Sequence, residues 1–173
     1  VHALVGYVFM LNLLWRFVWG FIGGPFSRWS AVLPFGRGFM QALGKQLRDV
    51  RSGSAKPHAG HGPLGRIAVT VILLALLIPG LSGVGLAGTD VYMPPFGGYL
   101  AEWVAGPDKD PEAVRPYAPD TVNKASYDEM RAFRKPFIAT HYVTFFVMLA
   151  LIVVHIGAVV LAEIREGGAI TSA

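Results

Sequence analysis

Three long apolar runs, joined by two polar connections of different character, organise this chain. Ala3–Gly24 carries one charge, Arg16, near its far end; Ile67–Ala87 carries none; Tyr142–Ala162 carries none and contains a single imidazole, His155. A helix needs about 20 residues to cross a bilayer, so each run predicts a transmembrane helix, over about 3–24, 67–87 and 142–162. The pattern therefore predicts an all-α membrane protein, a transmembrane helical bundle, with residues 1–173 forming a single domain.

The connections give an orientation. The loop 25–66 holds Arg28, Arg37, Lys45, Arg48, Arg51, Lys56 and Arg66 against one acid, Asp49, whereas Gly88–Thr140 balances eight acids against six bases. Short loops rich in Lys and Arg stay in the cytoplasm, so 25–66 is expected inside and 88–140 outside. Trp15, Trp19 and Trp29 fit an aromatic belt at the inner interface, or plain packing. The sequence lacks an initiator Met and opens in an apolar helix already on the outer side. That predicts one more helix ahead of it, starting in the cytoplasm.

Composition narrows the chemistry. The chain is 53% hydrophobic and 15% charged, with mean hydropathy +0.48, against about 25% charged in a soluble domain. It has no cysteine, which excludes disulfides, thiolate metal sites, iron–sulfur clusters and covalently attached haem. The basic loop is accounted for by orientation, so nucleic-acid binding is not expected. No residue set resembles a nucleophile, a phosphate cradle or a hydrolytic metal site.

Both loops carry local structure. Phe39, Leu43 and Leu47 recur at helical spacing within Phe39–Val50, with Lys45 and Arg48 on other faces; this segment is either an interfacial helix on anionic lipid or a solvated basic connector. A Gly/Pro-rich turn, Ser52–Gly65, follows. In the outer loop, Pro94-Pro95 precedes an expected short helix, Gly97–Ala105. Ser126 and Glu129 match a capping box for another helix through Phe133, ended by Pro136. These elements predict a small ordered cap, serving either as a docking surface or as a lid over a cofactor.

The histidines point to the chemistry. His141 and His155 stand fourteen residues apart, almost four helical turns, so they share a face about 21 Å apart along the axis. An ionisable side chain inside a span defaults to a functional reading, and that interval suits two cofactors placed one above the other. His2 opens the first span at the depth of His141. Two neutral imidazoles facing each other are what a six-coordinate b-type haem requires. Gly6 and Gly157 are small enough for a flat porphyrin to lie against the backbone. Arg16, fourteen residues after His2, either pairs with a haem propionate or snorkels to the headgroups. Arg131, Arg134 and Lys135 precede His141 and either meet outer propionates or form a solvated face, the latter preferred for Arg131. His58 and His61 lie in the inner turn, His61 reading first as a turn residue, and Pro79 is expected to kink the second span.

These residues resemble the bacterial di-haem membrane cytochromes b: the prokaryotic cytochrome b561 group, the b-type subunits of nickel–iron hydrogenases and, more distantly, of formate dehydrogenases. The resemblance rests on HALVGY opening one helix, RFVWGFIGG closing it, the PHAGHGPLG turn, and the His141–His155 pair. It covers the chain except the long outer loop. Gly62 departs from the pattern, standing where the family usually carries Asn. The resemblance implies four core helices, of which this chain carries the second to fourth. It implies that His2 and His141 ligate an outer haem, and that His155 ligates an inner haem with a histidine of the first helix.

The function implied is an electron-transfer subunit of an oxidoreductase complex in the bacterial inner membrane. It would link a periplasmic partner (dehydrogenase, hydrogenase or cytochrome c) to the quinone pool through two b haems, as a homodimer or within a larger complex. A quinone pocket is expected near the inner haem among Arg16, His61 and Arg66. Two competing readings are a stand-alone quinol oxidase acting on a small oxidant, and a haem-free membrane anchor.

Overall fold

The apolar runs become helices, and those of the second and third runs outlast their runs at both ends. The computed structural model describes residues 1–54 and 61–165. Its elements are α1 (His2–Ile22), α2 (Trp29–Val32), α3 (Phe39–Arg51), α4 (Pro63–Val91), α5 (Gly97–Ala105) and α6 (Lys124–Arg165), with short 3-10 turns at Pro111–Ala113 and Pro119–Thr121. No strand occurs among the described residues, and His58 lies outside them. Helices α1, α4 and α6 are long and apolar enough to cross a membrane, so the chain is an all-helical, membrane-spanning protein. Many large apolar side chains on them, Val8, Leu11, Val153 and Val160 among them, remain exposed. A contiguous apolar surface of that kind needs lipid or protein against it.

Three helix ends differ from the sequence reading. The second span begins at Pro63, where proline's missing N–H costs nothing in a first turn; the next donor, the N–H of Leu64, reaches Gln46 Oε1 at 2.9 Å. The separate helix expected to end at Pro136 does not exist, because α6 runs unbroken through that residue. The expected capping box is also absent: α6 begins at Lys124, and Asn123 just ahead of it caps the helix, its Oδ1 accepting the Ser126 N–H at 3.1 Å. Proline removes one backbone donor, and an otherwise favourable helix absorbs that loss when its flanks are held.

The residues pack as two units, Tyr7–Leu77 and a second made of Val1–Gly6 with Ile78–Ala173. In the first unit, Trp29 lies against the backbone of α1, where any side chain at Gly20 would collide with the indole. Its Nε1–H donates to the Phe17 carbonyl at 3.2 Å, and Phe17 and Phe21 flank it with ring centroids 5.5 and 6.3 Å away. Trp29 is therefore held by packing.

In the second unit, the connection between α4 and α6 folds onto the start of α6. Leu100, Val104, Ala105, Val114, Val122 and Met130 form its buried core, with Tyr92, Ala101 and Tyr127 against it. Asn123 stitches the cap, its N–H donating to the Val104 carbonyl at 2.8 Å and its Nδ2 to Asp108 at 2.6 Å. The ordered cap expected from the sequence is present.

Candidate functional site

His2 on α1 and His141 on α6 face each other, their ring centroids 6.0 Å apart and their planes at 84°. The His141 ring rests on α4. Its Nδ1 lies 3.0 Å from the carbonyl of Pro79 and 3.2 Å from Ser82 Oγ. A carbonyl can only accept, so Nδ1 carries the proton that it donates to Pro79. In the neutral ring Nε2 then keeps a free lone pair, which is the state of a metal-binding histidine held by its other nitrogen. Glycine permits this close seat: a Cβ at Gly83 would stand 3.1 Å from His141 Cε1, tighter than ordinary van der Waals contact.

The spacing of the pair suits a shared metal ion. Metal–imidazole bonds of about 2.0–2.1 Å on opposite sides of one metal place two ring centroids about 6 Å apart. No group of three or more His, Cys, Asp or Glu that could hold a metal occurs among the described residues. Two facing imidazoles without further protein donors suit a metal whose remaining ligands come from a planar macrocycle, as in haem. Gly6, one turn below His2, has nothing within 4 Å of where a Cβ would sit, leaving a bare strip of helix on the same face.

The surroundings on α6 are aromatic and charged. Phe137, one turn before His141, fills the space that glycine leaves at Gly85. Ring contacts continue outward from Phe137 to Phe133 at 5.2 Å and from Phe133 to Trp103 of the cap at 5.7 Å. Arg134, grouped at the sequence level with propionate partners, is engaged by Asp90 instead. Its Nη2 donates to Asp90 Oδ2 at 2.6 Å and its Nε also meets that carboxylate. Arg131 lies over the Tyr127 ring at 5.9 Å. Burial, then the neighbouring Tyr127 and Asp90, raises the Tyr92 phenol above its ordinary value.

His155 lies further along the unbroken α6, about 21 Å from His141 at the helical rise. It is exposed and has no hydrogen bond or ring contact among the described residues. Gly157 beside it is open as well, with nothing within 4 Å of where a Cβ would sit.

In the other unit, Arg16 and His61 both line a cavity of about 360 Å³, with Gly24, Pro25, Phe26, Ser27 and Val32. The Arg16 guanidinium stands 5.0 Å from the Trp29 ring centre, and its Nη1 is buried without a hydrogen-bond partner. A cation over tryptophan recovers about 0.5–2 kcal/mol, comparable to the roughly 1–3 kcal/mol lost by leaving a donor unsatisfied. An acceptor entering the cavity would therefore be favoured. Arg66 is not among the lining residues. Its Nη2 donates to the carbonyls of Ser30 at 3.1 Å and Phe35 at 2.9 Å, and also to that of Leu33, while its guanidinium stands 5.4 Å from the Phe39 ring centre. It secures the polypeptide ahead of α3, which the one-dimensional spacing does not reveal.

Sequence reasoning missed Pro79, Ser82 and Gly83 as the seat of His141. The only signal was a run of small residues in the second span, LSGVG, which does not say which helix lies against it. Compared with known proteins, the chain matches the family model for prokaryotic cytochrome b561 over residues 1–172. No curated protein and no solved structure matches it.

Proposed function

The chain belongs to the prokaryotic cytochrome b561 family, a family of membrane b-type cytochromes of electron transfer, and on that premise we propose that it joins a periplasmic redox partner to the quinone pool through two b haems. The observation that carries the reading is the facing His2–His141 pair, 6.0 Å apart, with His141 oriented by the Pro79 carbonyl. Bound haem supplies a one-electron iron couple whose potential depends on its axial ligands, their hydrogen bonds and burial.

The protein's own residues do the rest. His2 and His141 would present imidazole nitrogens to one iron. Hydrogen bonding to the Pro79 carbonyl holds the His141 ring in its ligating tautomer. Gly6 leaves room for the macrocycle. His155, exposed at the second level of α6, would hold the inner haem. Arg16 and His61 offer donors to a quinone headgroup in their cavity. The basic loop 25–66 faces the cytoplasm of a bacterial inner-membrane protein by the positive-inside rule, and the outer cap presents the docking surface for the periplasmic partner.

The test is haem stoichiometry. The reading predicts a sharp b-type α-band in the reduced-minus-oxidised spectrum of the purified protein, with two haems per chain by pyridine haemochrome. One haem per chain would remove the inner site at His155, and no haem would overturn the proposal.

A further inference from the structure

Helix α3 lies in the loop between two spans, yet one of its faces is largely uncovered among the described residues. At 3.6 residues per turn, Phe39, Met40, Leu43, Leu47 and Val50 fall within an arc of about 100°. Phe39 turns toward Arg66, but Met40, Leu47 and Val50 are 73%, 51% and 42% exposed. Arg51 borders this arc and Arg48 and Lys45 follow it round the helix, so cations begin where the apolar strip ends.

The position of α3 is fixed by hydrogen bonds. Gln46 accepts from the Leu64 N–H in the first turn of α4, and Arg66, one turn into α4, ties down the Leu33 and Phe35 carbonyls just ahead of α3. Helix α3 is thereby bound to the mouth of a membrane span, at the level where hydrocarbon gives way to headgroups. A helix with a narrow apolar face, a basic remainder and a hydrophilic average lies in the interface plane, and long basic side chains beside the apolar strip reach the headgroups.

We infer that α3 is an interfacial helix that inserts Met40, Leu47 and Val50 into the adjoining leaflet and binds anionic lipid headgroups through Arg48 and Arg51. The occupant of its open face is the bilayer that the neighbouring spans already cross. Each Lys or Arg near an anionic surface strengthens such attachment about fivefold.

The absence of cysteine permits a direct test. The full chain carrying Met40→Cys, Leu47→Cys or Lys45→Cys is spin-labelled and reconstituted in vesicles of phosphatidylcholine with phosphatidylglycerol, or of phosphatidylcholine alone. Collision with oxygen is compared with collision with a water-soluble nickel chelate. Labels at 40 and 47 are expected to favour oxygen and the label at 45 the chelate, with the contrast reduced when phosphatidylglycerol is left out. Arg48→Gln with Arg51→Gln should abolish that lipid dependence. Equal access of the chelate to all three sites would overturn the inference in favour of a solvated connector. Shielding of 40 and 47 from both reagents would overturn it in favour of cover by protein.

Discussion

Replacing Gly6 with leucine separates the protein's own packing from that of its proposed cofactor. Nothing lies within 4 Å of a Cβ built at Gly6, so a side chain there meets no protein atom at its base. The exchange also favours the helix by about 0.5–1 kcal/mol, since glycine is a poor helix former. Without a macrocycle on this face, Gly6→Leu should therefore be neutral or stabilising. With one against the backbone, the added side chain overpacks the site at a cost of about 1–3 kcal/mol, a loss of roughly 5- to 150-fold in haem affinity. The assay pairs haem per chain by pyridine haemochrome, during dilution into an apomyoglobin trap, with far-UV circular dichroism on heating. Gly98→Leu on α5, equally open but in the cap, serves as the control. The expected result is normal helicity with faster haem loss for Gly6→Leu alone. Unchanged haem retention would refute the placement of the macrocycle against Gly6.

Further outcomes follow from the same contacts. Gly83→Ala places a methyl 3.1 Å from His141 Cε1, so the ring must move by a few tenths of an ångström; a shifted midpoint potential in a redox titration, with helicity retained, is expected. Arg134→Gln should lower stability by about 1–2 kcal/mol, because Arg134 and Asp90 are each about three-quarters buried and charged hydrogen bonds of this kind are worth somewhat more when fully enclosed. Asp90→Asn in the same chain should recover part of the loss in a thermal double-mutant cycle. Burial, Tyr127 and Asp90 raise the Tyr92 phenol above 10.0. The folded chain thus holds this proton more tightly, and stability present below that pH should decline as pH rises past it. Tyr92→Phe should make the decline shallower in denaturation measured as a function of pH.

The spans were legible because uninterrupted apolar runs near 20 residues have few other uses. Helix α3 was legible from its apolar repeat, and the shared face of His141 and His155 from the 3.6-residue helical turn, since α6 has no break to spoil the count. What escaped the sequence is contact between elements distant along the chain. The apolar pattern of α4 and α6 is nearly uniform around each helix, so it fixes no register, and nothing in it pairs His141 with Pro79 or Arg134 with Asp90. Pro136 misled for a related reason: its local cost is real, but the tertiary contacts of Phe133 and Phe137 on either side hold the helix through it. The Arg66 contacts depend on three carbonyls turned inward by a bent loop, which residue types do not encode.

The central claim is that His2 and His141 serve one iron while His155 serves another. It is tested most directly by resolving the reduced spectrum and redox titration of His2→Ala, His141→Ala and His155→Ala side by side. The account predicts that the first two lose the same spectral and potentiometric component and keep the other, whereas His155→Ala loses the remaining one. Loss of different components by His2→Ala and His141→Ala, or full retention of haem by either, would contradict it.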